Sequence, residues 1–285
     1  MPDLTRPDGA TIHYETFGSG PALLLIAPGG VNSEIAMWHN SAIDPTAACA
    51  DQFTCIAMDQ RHAGQSWNAP PAFSYDLAWQ DQIAVLDHAG VQHAQVWGGC
   101  IGVSYLLRLI QEAPDRITGA VGQDPVGLDH TNSLAVFNDM FQPTLALARS
   151  DGPAAVVQAA LADPFFMANN AGGPFARRIA ADASFRADIE AMPTADYVRL
   201  IDRFAAAIWP DAPPYLTVDE DFVRRCPAPL LILPGSDAFH PTSIAHKICA
   251  DAPNARCLDV DCRSDTKRPA TIDTIRDFLR ANANR

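Results

Sequence analysis

The 285-residue sequence is poor in basic side chains and has no long apolar run. Lysine and arginine number 20 against 33 aspartates and glutamates, so the formal net charge at pH 7 is -13. This balance argues against a nucleic-acid or anionic-membrane partner. The longest apolar run falls far short of the roughly 20 residues that a membrane-spanning helix needs. Because residues 1–9 are polar rather than signal-like, we expect a soluble cytoplasmic protein.

Several cofactor and metal motifs are also missing. The sequence has no dinucleotide fingerprint, Walker loop or metal-ligand cluster, which predicts neither a cofactor nor a metal site. Seven cysteines, an odd number without CxxC spacing, predict reduced thiols rather than a disulfide framework. Six of them, including Cys55, Cys226, Cys249 and Cys257, are interpreted as ordinary small core residues. The exception is Cys100, whose surroundings point to chemistry.

Cys100 lies in the segment Gly-Gly-Cys-Ile-Gly at residues 98–102, between an apolar run at 94–97 and a helix-patterned stretch from Val103. This order predicts a nucleophile elbow, in which a sharp turn between a strand and a helix carries cysteine where serine is usual. Glycines on both sides avoid collisions with the strand and the helix. Since the helix dipole favours thiolate, Cys100 is the candidate nucleophile. The alternative is a buried small residue in a turn that has lost its chemistry.

Strands alternate with helices through the first part of the chain, which indicates right-handed crossovers and a mostly parallel sheet with helices on both faces. From residue 126 to residue 225 only helical patterns occur, which predicts an inserted helical cap. The predicted α/β protein therefore has a core at 1–125 and 226–285 and a cap at 126–225. The predicted strands are 11–16, 22–27, 53–59, 94–97, 117–123, 229–233 and 255–260, and the main predicted core helices are 77–89, 103–113, 242–250 and 270–282.

The chain resembles the α/β-hydrolase fold, in its capped branch of epoxide hydrolases, haloalkane dehalogenases, C–C bond hydrolases and lactonases. The motifs that carry the resemblance are Pro-Gly-Gly at 28–30, the loop 59–66 (similar to D-x-R-G-x-G-x-S), the elbow at Cys100, and Leu-Leu-Ile-Leu-Pro-Gly-Ser-Asp at 230–237. The resemblance implies that Asp237, after the seventh strand, is the acid of the catalytic triad. Asp124, at the end of the preceding strand, is the alternative acid.

The general base is where the sequence departs from that family. The family normally places a histidine in the loop after the last strand, but residues 261–268 contain none. Either another histidine supplies the base, or the chemistry needs none, or the site is inactive. His240 is the candidate, because it follows Asp237 by three residues and precedes Pro241, where a helix is predicted to begin. The alternative is that His240 only caps this helix and faces solvent.

Further residues are predicted to complete the site. The backbone N–H groups of Ile101 and of Gly30 or Val31 are predicted to form an oxyanion hole, unless the glycines only make a turn. Trp38 and His130 are predicted to line the substrate pocket. His39 is another cleft candidate, and some aromatic residues of the predicted cap are expected to face an apolar ligand.

The function that these patterns favour is hydrolysis of an ester, lactone or thioester of a small, largely apolar molecule. The Cys100 thiolate would attack the carbonyl carbon to form an acyl-enzyme. One alternative is a non-hydrolytic enzyme of the same fold, a lyase, isomerase or acyl transferase, which the missing late histidine favours. The other is a catalytically inactive ligand-binding protein. A small molecule is the expected partner, and exposed aromatic residues of the cap could support a homodimer.

Overall fold

A twisted sheet organises the part of the chain that the computed structural model describes, which is residues 3–67, 71–260 and 266–283. Its strand order is β1-β2-β4-β3-β5-β6-β7-β8, with β2 antiparallel to β1 and β4 and all other neighbours parallel. The strands are β1 (Asp3–Thr5), β2 (Thr11–Phe17), β3 (Ala22–Ile26), β4 (Thr54–Met58), β5 (Ala94–Gly99), β6 (Ile117–Gln123), β7 (Leu230–Leu233) and β8 (Ala255–Cys257).

The central strands are apolar throughout because both faces of the sheet are covered. Successive side chains of a strand point to opposite faces. In β3, Leu24 and Ile26 therefore pack in one hydrophobic cluster, while Leu23 and Leu25 pack in a second cluster on the other face. The predicted α/β fold with a mostly parallel sheet is confirmed.

Helices cover both faces of the sheet and fill the region between β6 and β7. The helices outside that region are α1 (Pro45–Cys49), α2 (Tyr75–His88), α3 (Ile101–Glu112), α11 (Thr242–Asp251) and α12 (Arg268–Asn282). The helices between β6 and β7 are α4 (Leu134–Asn138), α5 (Gln142–Asp151), α6 (Pro153–Ala162), α7 (Ala176–Ala181), α8 (Ala183–Glu190), α9 (Thr194–Ile208) and α10 (Glu220–Val223). No helix of the described residues is long and apolar enough to span a membrane.

Aromatic contacts are among those that join the helical segment 134–223 to the core, since the Phe204 ring centroid lies 6.0 Å from those of His62 and Phe73. Phe137, Phe141, Phe166 and Tyr197 are each 1% exposed or less, so most of its rings pack inside the protein. Its last long helix is tied to α2 by the Tyr75 hydroxyl, which donates to the carbonyl oxygen of Ile208 at 2.8 Å. The segment is therefore a packed layer on the core, and its role as a cap stays a prediction.

The prediction that the cysteines are reduced is wrong for one pair. Cys249 of α11 and Cys257 of β8 form a disulfide, with their Cα atoms 5.9 Å apart. The helix and the edge strand lie side by side, which brings the two cysteines together. Their separation of eight residues along the chain matches no recognised disulfide or metal motif, so the sequence did not predict the bond. The expectation of inert core thiols holds for Cys49 and Cys55, where burial raises the pKa to about 11 and to about 12. Cys262 lies outside the described residues.

Candidate active site

The turn between β5 and α3 holds Cys100 in a conformation that side chains rarely adopt, with φ 54° and ψ -119°. The predicted strand, turn and helix are all present. A Cβ atom added to Gly98 would lie 2.3 Å from the carbonyl oxygen of Gly102, and one added to Gly102 would lie 2.3 Å from that of Ile26. The Cys100 N–H donates to the Gln123 carbonyl oxygen at 2.9 Å. Steric contacts and this hydrogen bond therefore hold the thiol at the carboxyl ends of the parallel strands.

Cys100 differs from the other free cysteines of the described residues in its exposure. Cys49, Cys55 and Cys226 are buried, whereas Cys100 is partly accessible. The helix that follows Cys100 contributes its N-terminus to the same place, where positive dipole charge favours an anion. Cys100 is therefore the free thiol of the described chain best placed to meet a ligand.

Two tyrosines lie on the core side of the thiol. Tyr75 begins α2, directly after the N-capping Ser74, and Tyr105 lies on α3; their ring centroids are 4.9 Å apart. Burial raises the pKa of Tyr75 well above its usual value, and Tyr105 and Cys100 add to the shift. Both hydroxyls are therefore neutral, and that of Tyr75 donates to the carbonyl oxygen of Ile208 at 2.8 Å. Sequence reasoning missed this tyrosine pair, because nothing in the local pattern brings the start of α2 to α3.

His240 and Asp237 share the loop between β7 and α11. The Nδ1 atom of His240 lies 2.7 Å from Oδ1 of Asp237. The same oxygen accepts the backbone N–H groups of Phe239 at 2.9 Å and of His240 at 3.1 Å. The carboxylate thus closes a tight local turn around itself and orients the imidazole ring. The His240 side chain is 17% exposed and that of Asp237 is 48% exposed, so the pair extends from the protein interior to its surface.

The electrostatics connect His240 to Cys100. Burial lowers the pKa of His240, but the interactions with Cys100 and Asp237 outweigh it and raise that pKa to about 9. Nε2 is buried and has no hydrogen-bond partner among the described residues. Partial burial raises the pKa of Asp237, but His240 and two backbone N–H groups bring it below its usual value. The structure therefore pairs His240 with Asp237, and Cys100 influences the charge of the same ring.

Gly235 and Asp124 border the imidazole. A Cβ atom on Gly235 would lie 2.4 Å from Cβ of His240, so only glycine leaves room for the ring in this position. Asp124 directly follows β6, has φ 50° and is 6% exposed. Its Cα lies 3.5 Å from the same added Cβ atom. Asp124, the alternative acid, is thus buried near His240, while Asp237 contacts the ring from the more exposed side.

The predicted oxyanion donors lie at the starts of two helical turns. Ile101 is the first residue of α3, and the first N–H groups of a helix have no partner inside it. Gly30 begins a short 3₁₀ turn that also contains Val31. Trp209, at the end of α9, covers this turn, since a Cβ atom on Gly30 would lie 3.1 Å from its ring. The Trp209 ring in turn stacks on Phe137, with 4.3 Å between the ring centroids. Aromatic rings of the helical segment therefore cover the glycine turn.

The two predicted pocket residues lie in different places. Trp38 is 1% exposed and packs beneath the turn, where a Cβ atom on Gly99 would be 3.0 Å from its ring. The side chain of His130 is 84% exposed, because Asp129 Oδ1 accepts backbone N–H groups and holds this loop at the surface. His39 is also exposed, 3.2 Å from Asp44. We therefore leave His130 and His39 out of the proposed pocket.

A separate groove of about 940 Å³ lies between the core and the helical segment, and Cys100 does not line it. Glu34, at its wall, is 2% exposed, and its Oε1 lies 2.7 Å from Nη2 of Arg177. Burial raises the pKa of Glu34 to about 7, although Arg177 opposes the shift. This pair links residues 143 positions apart, and no sequence signal predicted it. The loop where the family base was expected falls partly on residues 261–265, outside the described part of the chain.

Comparisons with known proteins agree with this architecture. The family model described as "alpha/beta hydrolase fold" matches residues 22–205. A zearalenone hydrolase from Bionectria ochroleuca is 32% identical over 142 residues, which is 48% of this chain and 52% of that protein, so the match spans about half the length of this curated relative. A second zearalenone hydrolase, from Cladophialophora bantiana, is matched over 41% of its length.

One solved structure with the same fold is a hydrolase from Pseudomonas aeruginosa PA01, with a TM-score of 0.64, 21% identity, and coverage of 98% of this chain and 97% of that chain.

Proposed function

The chain belongs to the alpha/beta hydrolase fold family, and from this premise we propose that it hydrolyses the ester bond of a largely apolar lactone or ester through Cys100. The observation that carries the proposal is the 2.7 Å contact between Nδ1 of His240 and Oδ1 of Asp237, in a loop where Cys100 helps to raise the pKa of the same imidazole. A thiol, an imidazole and a carboxylate in this order are the parts that nucleophilic acyl transfer needs.

In the first step the Cys100 sulfur attacks the carbonyl carbon and forms a C–S bond. Negative charge develops on the carbonyl oxygen, where the N–H groups of Ile101 and of Gly30 or Val31 would stabilise it. His240 is protonated at neutral pH because its pKa is raised to about 9. It can therefore give a proton from Nε2 to the leaving alkoxide as the C–O bond breaks, which leaves a thioester on Cys100.

In the second step water attacks the thioester carbonyl. His240, now neutral, takes a proton from this water, and the carbonyl carbon releases the Cys100 sulfur as a thiolate. Asp237 keeps Nδ1 of His240 protonated, so that Nε2 is the atom that exchanges protons in both steps. This cycle restores the starting charges, and it uses a histidine from the β7–α11 loop instead of one after β8.

Aromatic surroundings favour a ring-containing substrate. Tyr75 packs against Tyr105 of the elbow helix α3, while Trp209 and Phe137 cover the glycine turn. In this proposal the helical segment acts as the cap that excludes water from the bound substrate. The relative from Bionectria ochroleuca is by name a hydrolase of zearalenone, which is a lactone, so this compound is the first candidate substrate to test.

The proposal is tested by measuring turnover of zearalenone and a panel of aryl esters, lactones and thioesters. We expect wild-type activity on at least one member and a loss of at least about 10³-fold in Cys100→Ala. Cys100→Ser should also be much slower, because a hydroxyl ionises far less readily than a thiol. Cys226→Ala, which removes a buried thiol before β7, is the matched control and should keep full activity.

Other outcomes would select the alternatives. Thermal stabilisation by panel compounds without turnover would indicate a ligand-binding protein. Turnover that yields an isomer, an elimination product or an acylated acceptor would indicate a non-hydrolytic enzyme. Full activity of Cys100→Ser would show that the thiol is incidental to the reaction.

A further inference from the structure

Four side chains with metal-binding chemistry meet where α11 packs on the edge strand β8. His246 and Cys249 come from α11, Cys257 ends β8, and Asp259 follows it. We propose that, once the Cys249–Cys257 disulfide is reduced, these four side chains bind one zinc-like divalent ion. The site is distinct from the Cys100 cluster, and the proposal does not depend on the hydrolase activity.

The geometry suits a small tetrahedral site. The ligand atoms of His246, Cys257 and Asp259 all lie within 4.8 Å of one another, and Nε2 of His246 is 2.9 Å from Oδ1 of Asp259. The Cys249 sulfur is bonded to that of Cys257 and so lies at the edge of this group. Zinc bonds of about 2.0–2.3 Å place tetrahedral ligand atoms about 3.3–3.8 Å apart. Small side-chain rotations would therefore bring the four atoms to this spacing.

The backbone supplies two pairs of ligands. His246 and Cys249 are three residues apart on a helix, which places them on the same face. Cys257 and Asp259 are two residues apart at the end of a strand, where alternate residues point to the same side. The sequence pattern H-x₂-C-x₇-C-x-D does not match a familiar zinc motif. The four side chains come together only because α11 packs on β8.

The donor set selects the class of metal. Two thiolates and an imidazole are the ligands that zinc prefers in four-coordinate sites, and a carboxylate can complete them. Calcium and magnesium require oxygen ligands and do not suit this set. The side chains of His246 and Asp259 are 53% and 65% exposed, so an ion can reach the site from solvent.

The redox state decides whether the Cys249–Cys257 disulfide or a metal ion links α11 to β8. A dithiol reductant transfers two electrons and two protons to the Cys249–Cys257 disulfide and becomes a disulfide itself. The two protein thiols then each release a proton when they bind the metal. Both the disulfide and the metal connect α11 to β8, and α11 begins two residues after His240. The reduced, metal-free form should therefore be the least stable of the three.

The test uses the full chain with Cys100→Ala, so that the Cys100 thiol cannot bind metal. After reduction with a phosphine and treatment with a chelator, Co²⁺ is added as a spectroscopic probe and Zn²⁺ is titrated by calorimetry. We expect one equivalent to bind, with a thiolate-to-cobalt absorption band that Zn²⁺ abolishes. The oxidised protein should show neither signal.

Variants identify the ligands. Cys249→Ser should weaken the cobalt band, because only the Cys257 thiolate remains, and His246→Ala and Asp259→Asn, both at exposed positions, should each weaken Zn²⁺ binding at least about tenfold. Cys262→Ser is the control for a thiol outside the described residues and should bind normally. Circular dichroism confirms that each variant is folded. No cobalt band in the reduced protein would overturn the proposal, as would unchanged Zn²⁺ affinity in His246→Ala and Asp259→Asn.

Discussion

The nucleophile turn and the base loop reach the same site by different physical means. Cys100 is fixed by the sheet, because Gly98 and Gly102 allow close backbone contacts with the strand and the helix. His240 is held mainly by its own loop, through the contact of its ring with Asp237 three residues earlier. The first arrangement depends on the whole core and the second on a few local bonds. Substitution of the half-exposed Asp237 should therefore impair chemistry with less loss of stability than a change at the close-packed glycines of the turn.

The largest effect expected in the loop comes from His240→Gln, which keeps the size and polarity of the side chain but cannot exchange protons. On a substrate that the wild type hydrolyses, kcat should fall by about 10²–10⁴-fold. His93→Gln, at an exposed position, is the matched control and should leave kcat unchanged. Equal rates for His240→Gln and the wild type would show that the imidazole takes no part in the reaction.

The next largest effect on kcat is expected from substitution of the two candidate acids, Asp237 and Asp124. Asp237→Asn should lower kcat by about 10- to 100-fold, less than loss of a fully buried triad acid, because the carboxylate is half exposed and screened. It should also bring the pKa of His240 down from about 9, as followed by NMR titration of the ring. If Asp124→Asn instead reduces kcat more than Asp237→Asn, the buried aspartate is the acid.

Alanine substitutions at two glycines separate the turn from the loop. Gly98→Ala forces a Cβ atom to 2.3 Å from a backbone oxygen and should cost about 1–3 kcal/mol of the free energy of unfolding. Gly235→Ala places a Cβ atom 2.4 Å from Cβ of His240 and 2.9 Å from its carbonyl oxygen, so it should also cost stability. Its distinguishing effect should be on the chemistry of the folded enzyme, with kcat lower by about 100-fold, as expected for a misplacement of about 1 Å. Full kcat in folded Gly235→Ala would contradict the role of this loop.

The last predicted effect is a pH dependence of stability. The pKa of His240 is about 9 in the folded protein and near 6.5 when unfolded, so the folded state holds an extra proton between these values. Its stabilising interactions are fully present below about pH 6.5 and are lost as the pH rises through about 9. The melting temperature of the wild type should therefore fall toward that of His240→Gln over this range. A constant difference between the two would contradict the assigned pKa.

Sequence reasoning predicted the parts of the site that depend on local order. The strand, turn and helix around Cys100 follow from glycine spacing and apolar patterning, and Asp237 and His240 were grouped because three residues separate them. Most strands and the core helices were also predicted, since their hydrophobic periods are strong. The short edge strand β1 and the five-residue helix α1 were missed, because elements this short do not show a hydrophobic period.

Contacts between distant residues could not be read from the sequence. The Tyr75 hydroxyl donates to the Ile208 carbonyl oxygen across 133 positions, and Glu34 pairs with Arg177 across 143 positions. His130 was expected in the cleft, but hydrogen bonds within its own loop keep it in solvent. Each of these positions depends on how whole elements pack, which periodicity and spacing do not specify.

The most direct test of the central claim is to trap the acyl-enzyme. Wild-type protein is mixed with an activated ester, quenched in acid within the first turnover, and measured by intact mass spectrometry and peptide mapping. The account predicts a mass increase equal to the acyl group on the peptide that contains Cys100, and no such increase in Cys100→Ala. Continued turnover without any acyl group on Cys100 would contradict it.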